Sequence, residues 1–243
     1  MPALYDNLGF NHNIALDLPF RQGLLTNPLD VSKVRHVMTM VDPGTGSFIW
    51  GNETTGCPTL EFVRVGSGAT EGVYIECVAA TCADLDFTTE DYTFMDWIKY
   101  TDTGTSISLF NRGFVYVSGW EFYIYANVLQ LRHNHVAGAT TSTGAYYTGI
   151  ATYEGTWALV GVSRSGGSAQ IYINGLPVTT NISVGGLIDP ATSARDLVIG
   201  ARTSKDSDWY DGLMWRPRIW DGRALAAEDH QNVYQIEKHW FGL

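Results

Sequence analysis

The residues best equipped for chemistry are few and scattered. Asp84 and Asp86 stand two apart in Asp84-Leu-Asp86. Paired carboxylates can hydrolyse a glycosidic bond when they sit about 5–5.5 Å apart, or somewhat more for the inverting reaction. No third acid follows in step, so a solvated turn competes with a catalytic role. Asp206, Asp208 and Asp211 share the loop Ser204-Lys-Asp-Ser-Asp-Trp-Tyr-Asp211. Such an oxygen-rich loop suits a hard cation, which makes Ca²⁺ the one cofactor considered, against a plain acidic loop that Lys205 interrupts. His133 and His135 alternate on one strand face and can both bind Zn²⁺, but no third ligand is evident. Tyr146 with Tyr147, and Trp209 with Tyr210, pair rings in polar surroundings. A ring offers a sugar broad apolar contact while nearby polar groups orient it. The same rings serve protein–protein contact equally well. Asp96 shares a face with Tyr92, Phe94 and Ile98. A carboxylate buried there must find a partner or raise its pKa, and Arg216 or Arg218 is the expected partner.

These residues have to be positioned by strands. Ala169, Ile171 and Ile173 share one face and Gln170, Tyr172 and Asn174 the other, a period of two that marks a half-buried strand. Trp157 to Arg164 is apolar on both faces and belongs inside a sheet. Ser165-Gly-Gly-Ser168 and Asn174-Gly175 supply the turns. Gly119 to Tyr125 and Val128 to His133 read as a hairpin across Ala126-Asn127. Thr59 to Val65 and Gly72 to Val78 read as strands around Gly66-Ser-Gly68, and Ile14 to Phe20 and Val34 to Val41 as further strands. Thr140 to Gly149 has no periodicity and reads as a surface loop. Leu225, Asp229, Val233, Ile236 and Trp240 recur at helical steps, so one helix is expected over 224–240, ended by Gly242.

The order Trp157…Ile171-Tyr-Ile-Asn-Gly175…Leu197-Val-Ile-Gly200…Asp211-Gly212…Arg218-Ile-Trp220…Ala224-Leu225 resembles the laminin-G-like part of the concanavalin A-like lectin/glucanase superfamily. The resemblance is most specific over the last 90 or so residues. It implies an all-β fold, an antiparallel jelly-roll β-sandwich with a short C-terminal α-helix. One domain over 1–243 is implied, with its N-terminal strand beside its C-terminal one and Trp97 on a central strand. Asp211 falls in the family's structural Asp-Gly pair. The Glu-x-Asp-x-Glu carboxylates of the glucanases are missing, as are a Gly-x-Ser-x-Gly elbow and His-Glu-x-x-His, so the domain is expected not to be an enzyme. Fold transfers on such a match and function does not.

Bulk composition narrows the partners. Lys and Arg number 15 against 25 Asp and Glu, a formal charge of −10 that repels phosphate backbones, so no nucleic acid is expected. No apolar run approaches membrane-spanning length, so no membrane is expected either. The opening lacks a basic and an apolar signal region, and the three cysteines, Cys57, Cys77 and Cys82, read as reduced buried thiols. Leu4-Tyr-Asp-Asn-Leu-Gly-Phe-Asn-His12, Ala15-Leu-Asp-Leu-Pro-Phe-Arg21 and Trp215-Arg-Pro-Arg-Ile-Trp220 also resemble, less specifically, laminin-G-like proteins of tailed bacteriophages. That resemblance implies a non-catalytic structural or decoration module in a virion, made in the host cytoplasm. A carbohydrate-binding lectin or adhesin is the alternative, and a polysaccharide-degrading enzyme the third. Leu4, Tyr5 and Phe10, in a possible arm over 1–12, and Trp240 and Phe241 are too apolar for idle ends. They make a homo-oligomer or lattice component the expectation.

Overall fold

Period-two apolar runs bury their apolar sides only by stacking sheet on sheet, and the chain does this with two antiparallel sheets of eight strands. The computed structural model describes residues 9–21, 27–135 and 141–243. Leu4 and Tyr5 lie outside the described residues, as does the side chain of Phe10. The first strands are β1 Ile14–Asp17, β2 Thr39–Val41, β3 Ser47–Asn52, β4 Pro58–Val63, β5 Tyr74–Cys77, β6 Tyr92–Tyr100, β7 Ile107–Asn111 and β8 Trp120–Tyr125. They are followed by β9 Val128–Asn134, β10 Ser142–Tyr147, β11 Ala158–Ser165, β12 Ser168–Ile173, β13 Leu176–Pro177, β14 Asn181–Ile182, β15 Leu197–Ile199 and β16 Gly212–Asp221.

The first sheet runs β13-β12-β11-β6-β16-β4-β3, with β1 also on β16; the second runs β14-β10-β9-β8-β7-β15-β5-β2. The N-terminal strand therefore does lie beside the C-terminal one, Leu16 opposite Ile219. Thr140 to Gly149 is not the expected loop. Ser142 to Tyr147 forms β10, because β9 on one side and β14 on the other hold its backbone in register despite its lack of apolar periodicity. Strands β4 and β5 sit in different sheets, so the Gly66-Ser-Gly68 region crosses the sandwich instead of closing a hairpin.

Between the sheets, Phe87, Tyr92, Phe94, Trp120 and Phe122 form a stacked aromatic core, continuous with Val160, Ile171 and Ile199. The outer side of the first sheet is apolar too, with Met95, Trp97, Trp157, Leu159, Trp215 and Trp220. The helix α1, Ala227–Glu237, and the 3₁₀ turn Lys238–Phe241 after it cover that side with Val233 and Phe241. Gly242, at φ 73°, ends this segment in the left-handed conformation expected of a helix-stopping glycine.

The strand β16 carries a bulge. Trp215 faces Trp97, yet the next pair is Arg218 with Met95, and Arg216 has φ 65°. The extra residue turns both Arg216 and Arg218 toward the helix. There Glu237 takes Arg216 Nη1 at 3.0 Å, Arg218 Nη1 and Nη2 at 2.9 and 2.8 Å, and the Trp97 indole N–H at 2.9 Å. Arg216 also grips Asp17 of β1 through two bonds of 2.9 and 2.8 Å.

Candidate functional site

The helix closes the outer side of the first sheet. On the outer side of the second lie side chains of the hairpin β8–β9 and of β10, with Glu121, Tyr123 and Gln130 buried and Arg132 and Tyr146 partly exposed. The two turn residues, Ala126 and Asn127, both have positive φ (49° and 63°), the tight geometry that matches strand twist. That turn sets Tyr123 opposite Gln130 and Glu121 opposite Arg132; β10 adds Tyr146 beside Gln130 and Gly144 beside Arg132. Neighbouring strands lie about 4.8 Å apart, so Tyr123, Gln130 and Tyr146 form one row across the face. Tyr123 Oη donates to Gln130 Oε1 at 3.0 Å. Gly144 makes room for Tyr146: a Cβ there would lie 2.8 Å from the Tyr146 hydroxyl and 2.6 Å from the Leu131 carbonyl.

The second row is charged and internally satisfied. Arg132 Nη2 donates to Glu121, whose other oxygen accepts Asn134 Nδ2 at 2.9 Å. Burial pushes the Glu121 carboxyl above its usual range, with Arg132 opposing. The Arg132 guanidinium lies 4.7 Å from the Tyr123 ring centre and 5.9 Å from that of Tyr116. Tyr116 is 56% exposed and has φ 62°, a conformation costly for an aromatic residue. It is held there because its backbone N–H donates to Asn134 Oδ1 at 3.0 Å. Phe114 and Val117 of the same loop are also exposed.

The sequence candidates fare unevenly. Tyr146 stands on this face, while Tyr147, one residue on, packs toward the core. Trp209 and Tyr210 are 1% and 0% exposed, which removes them as a sugar platform. The Trp209 ring stacks on Tyr74 and its N–H donates to the Gly68 carbonyl at 3.0 Å; the Tyr210 hydroxyl donates to the Leu213 carbonyl at 2.8 Å. Asp206, Asp208 and Asp211 do not converge. Asp206 pairs with Arg202 at 3.3 Å, Asp211 accepts the Arg64 backbone N–H at 3.2 Å, and the Asp208 backbone carbonyl accepts the Ser108 N–H at 2.9 Å. Among the described residues no group of three or more His, Cys, Asp or Glu is arranged to hold a metal. His133 meets the Tyr92 hydroxyl and, at 2.9 Å, the Ile188 carbonyl, and burial lowers its pKa to about 4. Asp84 turns to His36, whereas Asp86 accepts the Ser193 N–H, so the pair is split between partners. Phe241 is no free assembly residue: its ring centre lies 4.4 Å from those of both Trp97 and Trp157. Trp240 stays 38% exposed beside a cavity of about 370 Å³ that it lines with Arg21, Gly56, Cys57, Pro58 and Trp215.

A family model of the concanavalin A-like lectin/glucanase superfamily, of the laminin-G type, matches residues 76–229. The chain belongs to that superfamily. A search of curated proteins finds no match. Among solved structures, this lectin/glucanase-superfamily domain is similar to botulinum neurotoxin type C, described with two ganglioside molecules. It is also similar to the binding domain of botulinum neurotoxin DC in complex with SialylT, and with rat synaptotagmin II. Each of the three gives a TM-score of 0.65 at 13% identity, covering 93% of this chain and 52% of the other. The domain thus spans about half the length of these structures, and at that identity the likeness is one of fold.

Sequence reasoning missed Tyr116, Tyr123, Gln130 and Arg132. For the last three the signal was present in the hairpin, where Glu121, Tyr123 and Tyr125 alternate with apolar residues and Gln130 and Arg132 do the same on the facing strand. Asp96 needs correcting as well. It is fully buried, and neither oxygen has a hydrogen-bond partner within normal geometry. The expected arginines are turned away by the β16 bulge and taken by Asp17 and Glu237. Burial therefore drives the Asp96 carboxyl well above its ordinary range, with the Arg218 charge opposing.

Proposed function

We propose that the domain is a non-catalytic carbohydrate-binding module that holds a glycan on the outer side of its second sheet, around Tyr116. The observation that carries this reading is Tyr116, displayed in a strained left-handed conformation beside Arg132, whose guanidinium also meets the Tyr123 ring. Strain of this kind persists where the surroundings impose it, and it clusters at ligand sites. Pyranose rings present apolar C–H faces to phenol rings, while the phenol hydroxyls of Tyr116 and Tyr146 fix their hydroxyls. The superfamily, and the ganglioside and SialylT complexes of structural neighbours, are consistent with it.

Tyr116→Gly tests the reading. Glycine accepts φ 62° without strain, so the variant should fold at least as stably as the parent. Its retention on immobilised glycans should fall at least tenfold. Unchanged retention would remove Tyr116 and this face from the site. A second reading, a virion structural module acting through protein contacts, is favoured by the exposed Trp240 and its neighbouring cavity.

A further inference from the structure

Most charges on the outer side of the second sheet are already committed. Arg132 is spent on Glu121 and Arg202 on Asp206, and Lys205 lies between Asp196, at 2.7 Å, and Glu76. The remaining nearby cation, Arg195, stacks 4.6 Å from the Phe114 ring. Phe114 lies at the start of the Tyr116 loop, next to β7, and β7 pairs with the strand that follows Arg195. One carboxylate, in contrast, is left over. Asp208 has no side-chain hydrogen bond or ion pair among the described residues; burial raises its pKa, with the Arg202 and Arg132 charges opposing and Asp206 adding to the rise. Its place is fixed by its own carbonyl, which accepts the Ser108 N–H at 2.9 Å; Ser108 in turn faces Tyr123. The backbone of Asp208 is left-handed, at φ 57°.

We infer that the ligand of this face is a neutral, hydroxyl-rich glycan, with Asp208 accepting its hydroxyls, and not a glycan bearing a carboxylate. The inference rests on the carbohydrate-binding reading above and narrows it to a substrate class. A free carboxylate accepts hydroxyl hydrogen bonds that are charge-assisted and strong. The same carboxylate repels a sialic or uronic acid, and with Arg132 and Arg202 paired, Arg195, stacked on Phe114, is the nearby cation left to offset that repulsion. The exposed Tyr116 ring and the partly exposed Tyr146 ring add sites that carry no charge and discriminate by shape.

The test uses the intact chain on two matched series of immobilised oligosaccharides, one neutral and one capped with sialic or uronic acid. Neutral glycans should be held at least tenfold more tightly than their acidic counterparts. Their affinity should change less than twofold between 50 and 500 mM salt, as expected when no ion pair forms with the ligand. Asp208→Asn keeps an acceptor, tolerates the left-handed backbone and removes the charge. It should narrow the gap between the two series, which a merely structural role for Asp208 would not do. Preference for the acidic series, still sensitive to Tyr116→Gly, would overturn this inference and leave the carbohydrate-binding reading standing. Loss of that preference in Arg195→Ala would then identify the cation responsible. Retention of neither series, or retention indifferent to Tyr116→Gly, would overturn the carbohydrate-binding reading itself.

Discussion

Glu237→Ala should cost the fold about 3–5 kcal/mol, because it strands buried charge. Glu237 is 2% exposed and is the meeting point of Arg216, Arg218 and the Trp97 indole. Without it the Arg218 guanidinium, at 0% exposure, loses both bonds of its carboxylate clamp. Arg216 keeps Asp17, so the damage concentrates on the helix side. For a domain of this size the loss corresponds to roughly 6–20 °C in Tm. Glu237→Gln, which keeps the shape and one acceptor, should lie between the two. Denaturant titration followed by circular dichroism reads both. A loss under 1 kcal/mol for the alanine variant would mean that apolar packing of Phe241 and Val233 alone seats the helix.

The second large effect is alkaline. His36 lies between two carboxylates, with Nδ1 3.0 Å from Asp30 and Nε2 3.0 Å from Asp84. Burial by itself would lower its pKa, but the hydrogen bonds to Asp30 and Asp84 outweigh burial and raise it to about 9. The raised value means that folding favours the protonated ring. Its stabilisation is complete below pH 6.5, declines through the interval and is lost above about pH 9, a span worth about 2–3 kcal/mol after solvent screening at the partly exposed Asp84. Stability of the parent minus that of His36→Asn, measured by urea titration from pH 6 to 9.5, should shrink by that amount. Taking the difference removes groups that titrate in both proteins, Cys82 among them. A difference that stays constant across the range would show that His36 is neutral in the fold.

What could be read from the sequence follows from which interactions are local. Ile171 and its neighbours alternate because one strand has one wet face, and the hairpin at Ala126-Asn127 announces itself through two consecutive turn positions. The helix was legible from its period, although its α-helical part stops at Glu237, where the chain tightens to seat Phe241 among tryptophans. The bulge in β16 was not legible. Nothing in Trp215-Arg-Pro-Arg-Ile-Trp220 says on which side of the strand the extra residue falls, and that decides whether Arg218 meets Asp96 or Glu237. Strand β10 was hidden for a different reason: Ser, Thr, Gly and Tyr carry little apolar signal, and its conformation is imposed by two neighbours distant in sequence. The site failed in proportion. Tyr146 was found because it is aromatic in polar company, whereas Trp209 and Tyr210 have the same local sequence character and are buried by a loop fold-over no spacing rule reports. Tyr116 was invisible because what marks it is a backbone angle.

Closure of one sheet face by the helix has a consequence for valency. A domain whose helix covers one side has a front and a back. Copies fixed to a common support through the helix side would all point the same way, with no orientation wasted. Each copy on its own would offer a small contact around Tyr116. Several aligned copies turn the second and later contacts into intramolecular events, and gains on the order of 10²–10⁴ follow without any new residue. A two-faced sandwich on the same support would present half its rings to the wall.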